Sequence, residues 1–216
     1  MKRPSWKGKT VLITSGPTRE HLDPIRFLTN ASSGKMGWAL AAEARRRGAR
    51  TIVISGPCAL TPLAGVKTVA VVTGLQMLRE TLARCAAADV VIAAAAVSDW
   101  RFAEVRSRKL KRGKAALRLT LKPNPDIIKA VSRRRKALSR QVLVGFALET
   151  HRKLAFAKAK LAAKGLDLIV ANGPSTLGSA RARLTLVGRG WTCELPSATK
   201  AQAARGVLDA VEGRWR

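Results

Sequence analysis

The chain has 216 residues, of which 47% are hydrophobic and 25% charged, a balance that excludes a disordered polar chain and supplies enough apolar mass for a sizeable core. Lysine and arginine number 41 against 13 aspartates and glutamates, a net charge of +28, which favours anionic partners: phosphates, nucleic acid or acidic surfaces. Three widely spaced cysteines, Cys58, Cys85 and Cys193, and two histidines, His21 and His151, argue against a disulfide framework and against a structural zinc site, so no metal ligand is assigned.

In chain order, the basic start carries no long apolar stretch and no apolar run is long enough for a membrane span. No membrane association is therefore expected, and the expected compartment is the cytoplasm. Val11-Leu-Ile-Thr-Ser reads as a strand ending at Gly16-Pro17. Trp38 to Arg47 reads as a helix closed by Gly48. Thr51 to Ser55 and Val66 to Val72 are two further strands, and Leu75 to Ala87 is a helix with apolar spacing at Leu75, Leu78 and Leu82. Val90 to Ala96 is a continuous apolar run, as expected of a strand covered on both faces. A basic flap follows over about 100–122.

Pro125 stands where a helix is expected to begin. Gln141 to Ala147 is a strand, Arg152 to Lys164 a helix ending at Gly165, and Leu166 to Ala171 another strand. Leu184 to Val187 and Trp191 to Leu195 suggest a small C-terminal hairpin around Gly188-Arg189-Gly190. Ser197 is the expected cap of a last helix through Val211. This alternation predicts an α/β fold, Rossmann-like, with a mostly parallel sheet and helices on both faces, in one domain over 1–216. Ligands in such sheets bind beyond the carboxyl ends of the strands.

Several of those ends carry specialised residues. Ser15-Gly16-Pro17-Thr18 could admit a phosphate to the backbone or be a simple tight turn. Thr29 to Gly37 holds Ser32, Ser33, Gly34, Lys35 and Gly37 ahead of a helix, where amides, hydroxyls, the helix dipole and a cation converge on an anion. A capped helix start is the plainer alternative. Neither a Walker A loop nor a full GxGxxG fingerprint is present. The alanines 93–96 leave room for a ligand against the backbone, and Asp99 sets a carboxylate at the rim. Lys109-Leu-Lys-Arg112 is either a mobile cationic flap or a solvated charge run.

Taken together, the segments Ile13-Thr-Ser-Gly-Pro-Thr-Arg-Glu20, Arg26-Phe-Leu-Thr-Asn-Ala-Ser-Ser-Gly-Lys-Met-Gly37, Ala94-Ala-Ala-Val-Ser-Asp-Trp-Arg101, Lys109-Leu-Lys-Arg112, Lys122-Pro-Asn-Pro-Asp-Ile127, Val144-Gly-Phe-Ala-Leu-Glu-Thr150 and Asp167-Leu-Ile-Val-Ala-Asn172 resemble the bacterial phosphopantothenoylcysteine synthetase family. The resemblance implies a ligase of coenzyme A biosynthesis. It would convert 4'-phosphopantothenate to an acyl-cytidylate with CTP and Mg2+, then pass the acyl group to the amine of cysteine. It also implies a homodimer with substrate sites near the subunit interface, and a separate decarboxylase as a partner. By the same resemblance Gly16, Ser32, Gly34 and Gly37 contact nucleotide phosphates. Asn30 and Lys109 are catalytic, Asn30 holding phosphopantothenate and its activated form and Lys109 also contacting the nucleotide. Arg26 reaches the substrate of the neighbouring subunit. Ala95, Ala96 and Asp99 surround substrate and nucleotide, and Pro125, Asp126, Ile127, Ile128, Phe146, Lys160, Lys164 and Asn172 contact the nucleotide.

The chain departs from the family at Arg112, where lysine is usual, at Gly173, where aspartate is usual, and at Ser179-Ala-Arg-Ala-Arg, which lacks the usual acidic residues. Two other readings compete: a nucleic-acid-binding protein using the basic flap and Arg133-Arg-Arg-Lys136, and a relative of the ligase that binds nucleotide without turnover.

Overall fold

The structure is a computed structural model describing residues 6–136 and 140–214. Runs of β-branched residues and leucine alternate with alanine-rich stretches, and strands alternate with helices accordingly. In chain order the elements are β1 (Thr10–Ser15), β2 (Arg19–His21), β3 (Phe27–Thr29), α1 (Lys35–Arg46), β4 (Arg50–Ser55), β5 (Lys67–Ala70) and α2 (Gly74–Leu82). Then come β6 (Val90–Ala93), β7 (Trp100–Phe102), β8 (Leu121–Pro123), α3 (Ile127–Arg134), β9 (Val142–Leu148) and α4 (Lys153–Ala163). The chain closes with β10 (Leu168–Asn172), β11 (Arg181–Gly188), β12 (Trp191–Thr199) and α5 (Lys200–Glu212).

One eight-stranded sheet runs in the order β12-β11-β10-β9-β6-β1-β4-β5. Every pairing from β10 to β5 is parallel, and β11 and β12 add antiparallel strands at one edge. Successive side chains of a strand point to opposite faces, and this sheet uses both. Val11, Ile13, Val90, Ile92, Val142 and Val144 pack on one side with α1 and α5. Leu12, Val91, Leu143 and Ile169 pack on the other with α2, α3 and α4. That two-sided burial is why the strands read as unbroken apolar runs. After β1 the chain moves to β4 and β5 on one side, then returns to β6 on the other. The order reverses at β1 and β6, and a crevice opens there beyond the carboxyl ends.

Several local expectations change. The C-terminal hairpin is not a small appendage, because β11 pairs with β10 from Leu168↔Gly188 to Ala171↔Thr185 and extends the main sheet. Ser197 lies within β12 and does not cap the last helix. Thr199 does, with Gln202 completing a capping box. The third helix is capped by Asp126, whose carboxylate accepts from the Lys129 amide, so Pro125 precedes the cap. Helix α2 stops at Leu82 and a separate short turn covers Cys85–Ala87. Strand β6 stops at Ala93, with Ala96 making an isolated bridge to Pro17.

The hairpin of β2 and β3 had no counterpart among the expected elements. Its turn is organised by Asp23, which is fully buried and accepts from the amides of Ile25 and Arg26 and from the Arg26 guanidinium, Nε at 3.0 Å. The Arg26 side-chain hydrogen bond, aided by those amides, holds the Asp23 carboxyl well below the usual range against the opposing effect of burial. The same carboxylate accepts from the Leu110 amide at 3.1 Å, and Arg106 N–H donates to Leu22 O at 2.9 Å. The basic flap is thus a ribbon of β7 and β8 whose long connection is pinned to the hairpin at two points.

Two predictions follow from packing. A Cβ on Gly37 would stand 2.6 Å from Ser15 Cβ and 3.2 Å from Ser15 Cα, so α1 would have to move off β1. Overpacking of about 1–3 kcal/mol exceeds the roughly 1 kcal/mol that alanine gains in a helix, and Gly37→Ala should lower Tm in thermal denaturation. Asp23→Ala should release the flap, measured as faster tryptic cleavage between Arg106 and Arg118 with the sheet core still protected.

Candidate functional site

The crevice at β1 and β6 is built from small residues. Gly16 adopts φ +75° with Gly56 O only 2.9 Å from where its Cβ would be, which fits glycine alone. Gly34, at φ +73°, forms the left-handed start of α1 with no side-chain cap, so the first amides of α1 face the crevice without a local partner. Ser15 Oγ donates to Gly34 O at 3.1 Å, and Gly34 N–H donates to Ser32 Oγ at 3.3 Å. The positive end of a 12-residue helix therefore opens onto the site.

Two cavities meet here. The first, about 150 Å³, is lined by the 32–37 loop, Ala94–Ala96, Phe146, Leu148, Asn172, the 176–178 loop, Ala182, Leu184 and Lys200. The second, about 220 Å³, lies on the other side of the sheet ends, between α3 and α4, and includes Thr14, Val97–Asp99, Asn124–Ile128, Lys160 and Lys164. Ala95 and Phe146 line both. A half-buried aromatic ring at that junction offers a stacking face to a planar group.

The alanine segment is held from both sides. Ala96 N–H donates to Gly16 O at 2.9 Å, and Asn30 Nδ2 donates to Ala96 O at 3.0 Å. Ser98 N–H donates to Thr18 Oγ1, and Asn124 donates through its side chain to Ser98 O and through its amide to Asp99 O. Asp99 stays exposed at the rim. In the second cavity Lys164 pairs with Asp126 at 2.7 Å and Lys160 with Glu149 at 2.5 Å. An incoming anion has to compete with those carboxylates for the two lysines.

The expected residues thus converge in large part. Ser32, Gly34, Gly37, Ala95, Ala96, Phe146 and Asn172 line the first cavity, and Ala95, Asp99, Pro125, Asp126, Ile127, Ile128, Phe146, Lys160 and Lys164 line the second. Gly16 lies directly behind Gly34, and Asn30 sits on Ala96. Arg26 and Lys109 line neither cavity. Arg26 is engaged by Asp23 and by Leu110 O at 2.8 Å, and Lys109 is exposed on the flap beside the anchored Leu110. Lys200 was absent from the expected set, although the Thr199-x-x-Gln202 capping box that places it at a helix start is visible in the sequence.

The family model described as DNA/pantothenate metabolism flavoprotein C-terminal domain matches residues 6–214. The coenzyme A biosynthesis bifunctional protein CoaBC of Bacillus subtilis is 45% identical over 174 residues, covering 80% of this chain and 42% of the relative. That of Vibrio cholerae is 40% identical over 210 residues, covering 94% and 52%. The chain spans about half the length of these curated relatives. The crystal structure of the C-terminal domain of a CoaBC protein superposes with a TM-score of 0.82 at 37% identity, covering 97% of each chain. A mutant of Cab2 in complex with phosphopantothenate-cysteine shares the fold, with a TM-score of 0.78 at 19% identity over 96% of this chain and 88% of that one. The parallel sheet, the glycine loop and the ordered motifs around one crevice place the chain in the DNA/pantothenate metabolism flavoprotein C-terminal domain family, the phosphopantothenoylcysteine synthetase family that its motifs resemble.

Proposed function

We propose that the chain joins cysteine to 4'-phosphopantothenate at the expense of CTP. The observation that carries this reading is the pair of cavities meeting at Ala95 and Phe146, in a member of this family. One cavity offers helix amides and lysines to phosphates; the other offers room beside Pro125–Ile128 for the rest of a nucleotide. A fold neighbour that binds phosphopantothenate-cysteine adds support.

In the first step a carboxylate oxygen of 4'-phosphopantothenate bonds to the α-phosphorus of CTP, and the bond to the β-phosphate breaks to release pyrophosphate. In the second, the cysteine amine attacks the acyl carbon, CMP leaves, and the amine gives up a proton. The α1 amides stabilise charge developing on the phosphates. Asn30, fixed beside Ala96, orients the acyl group, and positioning accounts for much of the second step. Lys109 acts once the flap is folded over the phosphates. Mg2+ commonly binds through one or two carboxylates plus substrate phosphates, and Asp99 at the rim fits that mode. No group of three or more His, Cys, Asp or Glu able to hold a metal occurs among the described residues. On this reading the ion enters with the triphosphate, where it would offset phosphate charge.

The test is pyrophosphate release from the full chain given 4'-phosphopantothenate, cysteine, Mg2+ and either CTP or ATP. Release is expected with CTP, falling about 100-fold or more in Asn30→Ala and Lys109→Ala. Absence of release with both nucleotides would leave a nucleotide-binding relative without turnover.

The same reading takes the protein as a homodimer. Ile25, Phe27 and Leu28 on the hairpin, and Trp100, Val105 and Leu117 on the flap, expose large apolar side chains, Val105 by 65% and Ile25 by 59%. Large apolar side chains exposed in numbers mark interaction sites when they adjoin, and Arg26, next to Ile25 and Phe27 in the chain, lines neither of its own cavities. Sedimentation should give twice the chain mass, and Ile25→Glu with Val105→Glu should give the monomer. A monomeric wild-type chain at micromolar concentration would remove the dimer from the reading.

A further inference from the structure

Two lysines in the first cavity stand where helix electrostatics disfavour them. Lys35 opens α1 and Lys200 opens α5, yet the amino end of a helix carries partial positive charge and favours anions. Each is a local inconsistency, and such inconsistencies concentrate at functional sites. Both face one cavity, whose described lining residues include no aspartate or glutamate. Lys35 Nζ donates to Gly178 O at 3.2 Å and Lys200 Nζ to Thr176 O at 3.2 Å. The two ammonium groups therefore hold the 176–178 loop and meet neutral carbonyls.

Lys200 is half-buried. Burial chiefly, and then the Lys35 charge, push its pKa below the ordinary lysine value. A polyanion between the two lysines and the first amides of α1 would act against both effects. The hydroxyls of Ser32 and Ser33 add further donors in the same space.

We propose that Lys200, with Lys35, is a cation pair that holds the pyrophosphate end of the nucleotide, so that the C-terminal helix completes the phosphate subsite. The assignment rests on the ligase reading for the identity of the nucleotide. It does not rest on that reading for the chemistry of the ligand, which is a chain of phosphates. The phosphates nearest the base lie toward Phe146 and the distal ones toward α5.

The experiment is calorimetric titration of the full chain with CTP, CMP, 4'-phosphopantothenate and inorganic tripolyphosphate, for wild type and for Lys200→Gln, Lys35→Gln and Lys200→Arg. Loss of a charge-assisted contact should weaken CTP and tripolyphosphate about tenfold or more, leave CMP within about twofold, and be largely restored by Lys200→Arg. Lys67→Gln, on the far edge strand β5, controls for net charge and should change nothing. Equal loss of CTP and CMP would overturn the proposal as a general collapse of the cavity. Unchanged CTP and tripolyphosphate binding would also overturn it, as would a loss confined to 4'-phosphopantothenate. Lysine-dependent tripolyphosphate binding without ligase turnover would sink the ligase reading and keep the cation pair; ligase turnover with lysine-independent CTP binding would do the opposite.

Discussion

Strand β1 hydrogen-bonds in parallel to β4 along one edge and to β6 along the other, and parallel pairing sends every carboxyl end to the same side of the sheet. Three chain segments must therefore leave the sheet within a few ångströms of one another. The only residues that permit it are small. Gly56 has Pro17 O at 1.8 Å from where a Cβ would stand, and Gly37 has Ser15 Oγ at 2.3 Å. The crowding that forbids side chains there leaves the start of α1 open to the crevice, and helix starts of that kind favour anions. Packing alone sets the requirement for glycine at 16, 37 and 56.

The scarce carboxylates are spent away from the first cavity. Glu43 pairs with Arg46 and Arg47, and Arg47 also reaches Asp209 and Glu212, tying α1 to α5 at the ends remote from Lys35 and Lys200. Hydrogen bonding from Arg46, then from Arg47, holds Glu43 below the ordinary glutamate range despite burial. Asp23 organises the hairpin and flap, and Asp167 joins Arg135 to the amide of Leu143. A chain of +28 that places many of its anions as staples leaves the first cavity lined by lysines with no aspartate or glutamate among its described lining residues.

Periodicity and punctuation carried most of the architecture. Apolar runs at Val11, Thr51, Val90, Gln141 and Leu166 fall on strands because burial on both faces removes the need for polar alternation. The ordered glycine and alanine motifs fall at strand ends and line two adjoining cavities, whereas the lysine motif stands on the flap. The β2–β3 hairpin was illegible, being three-residue strands held by one aspartate rather than by a pattern. The place of β11 and β12 was illegible too. A hairpin at the chain end looks the same in sequence whether it stands alone or joins a sheet, since the difference lies in the partner of Leu168 to Ala171.

From the residues alone came the fold class and the small-residue strand ends, because each follows from local sterics and burial periodicity. Tertiary structure decided that Lys200, some 165 residues from Lys35 along the chain, shares its cavity, and that Arg26 and Lys109 stand apart on the hairpin and flap. Such distances depend on how helices and strands far apart in sequence pack together, and no local pattern of residues encodes that packing.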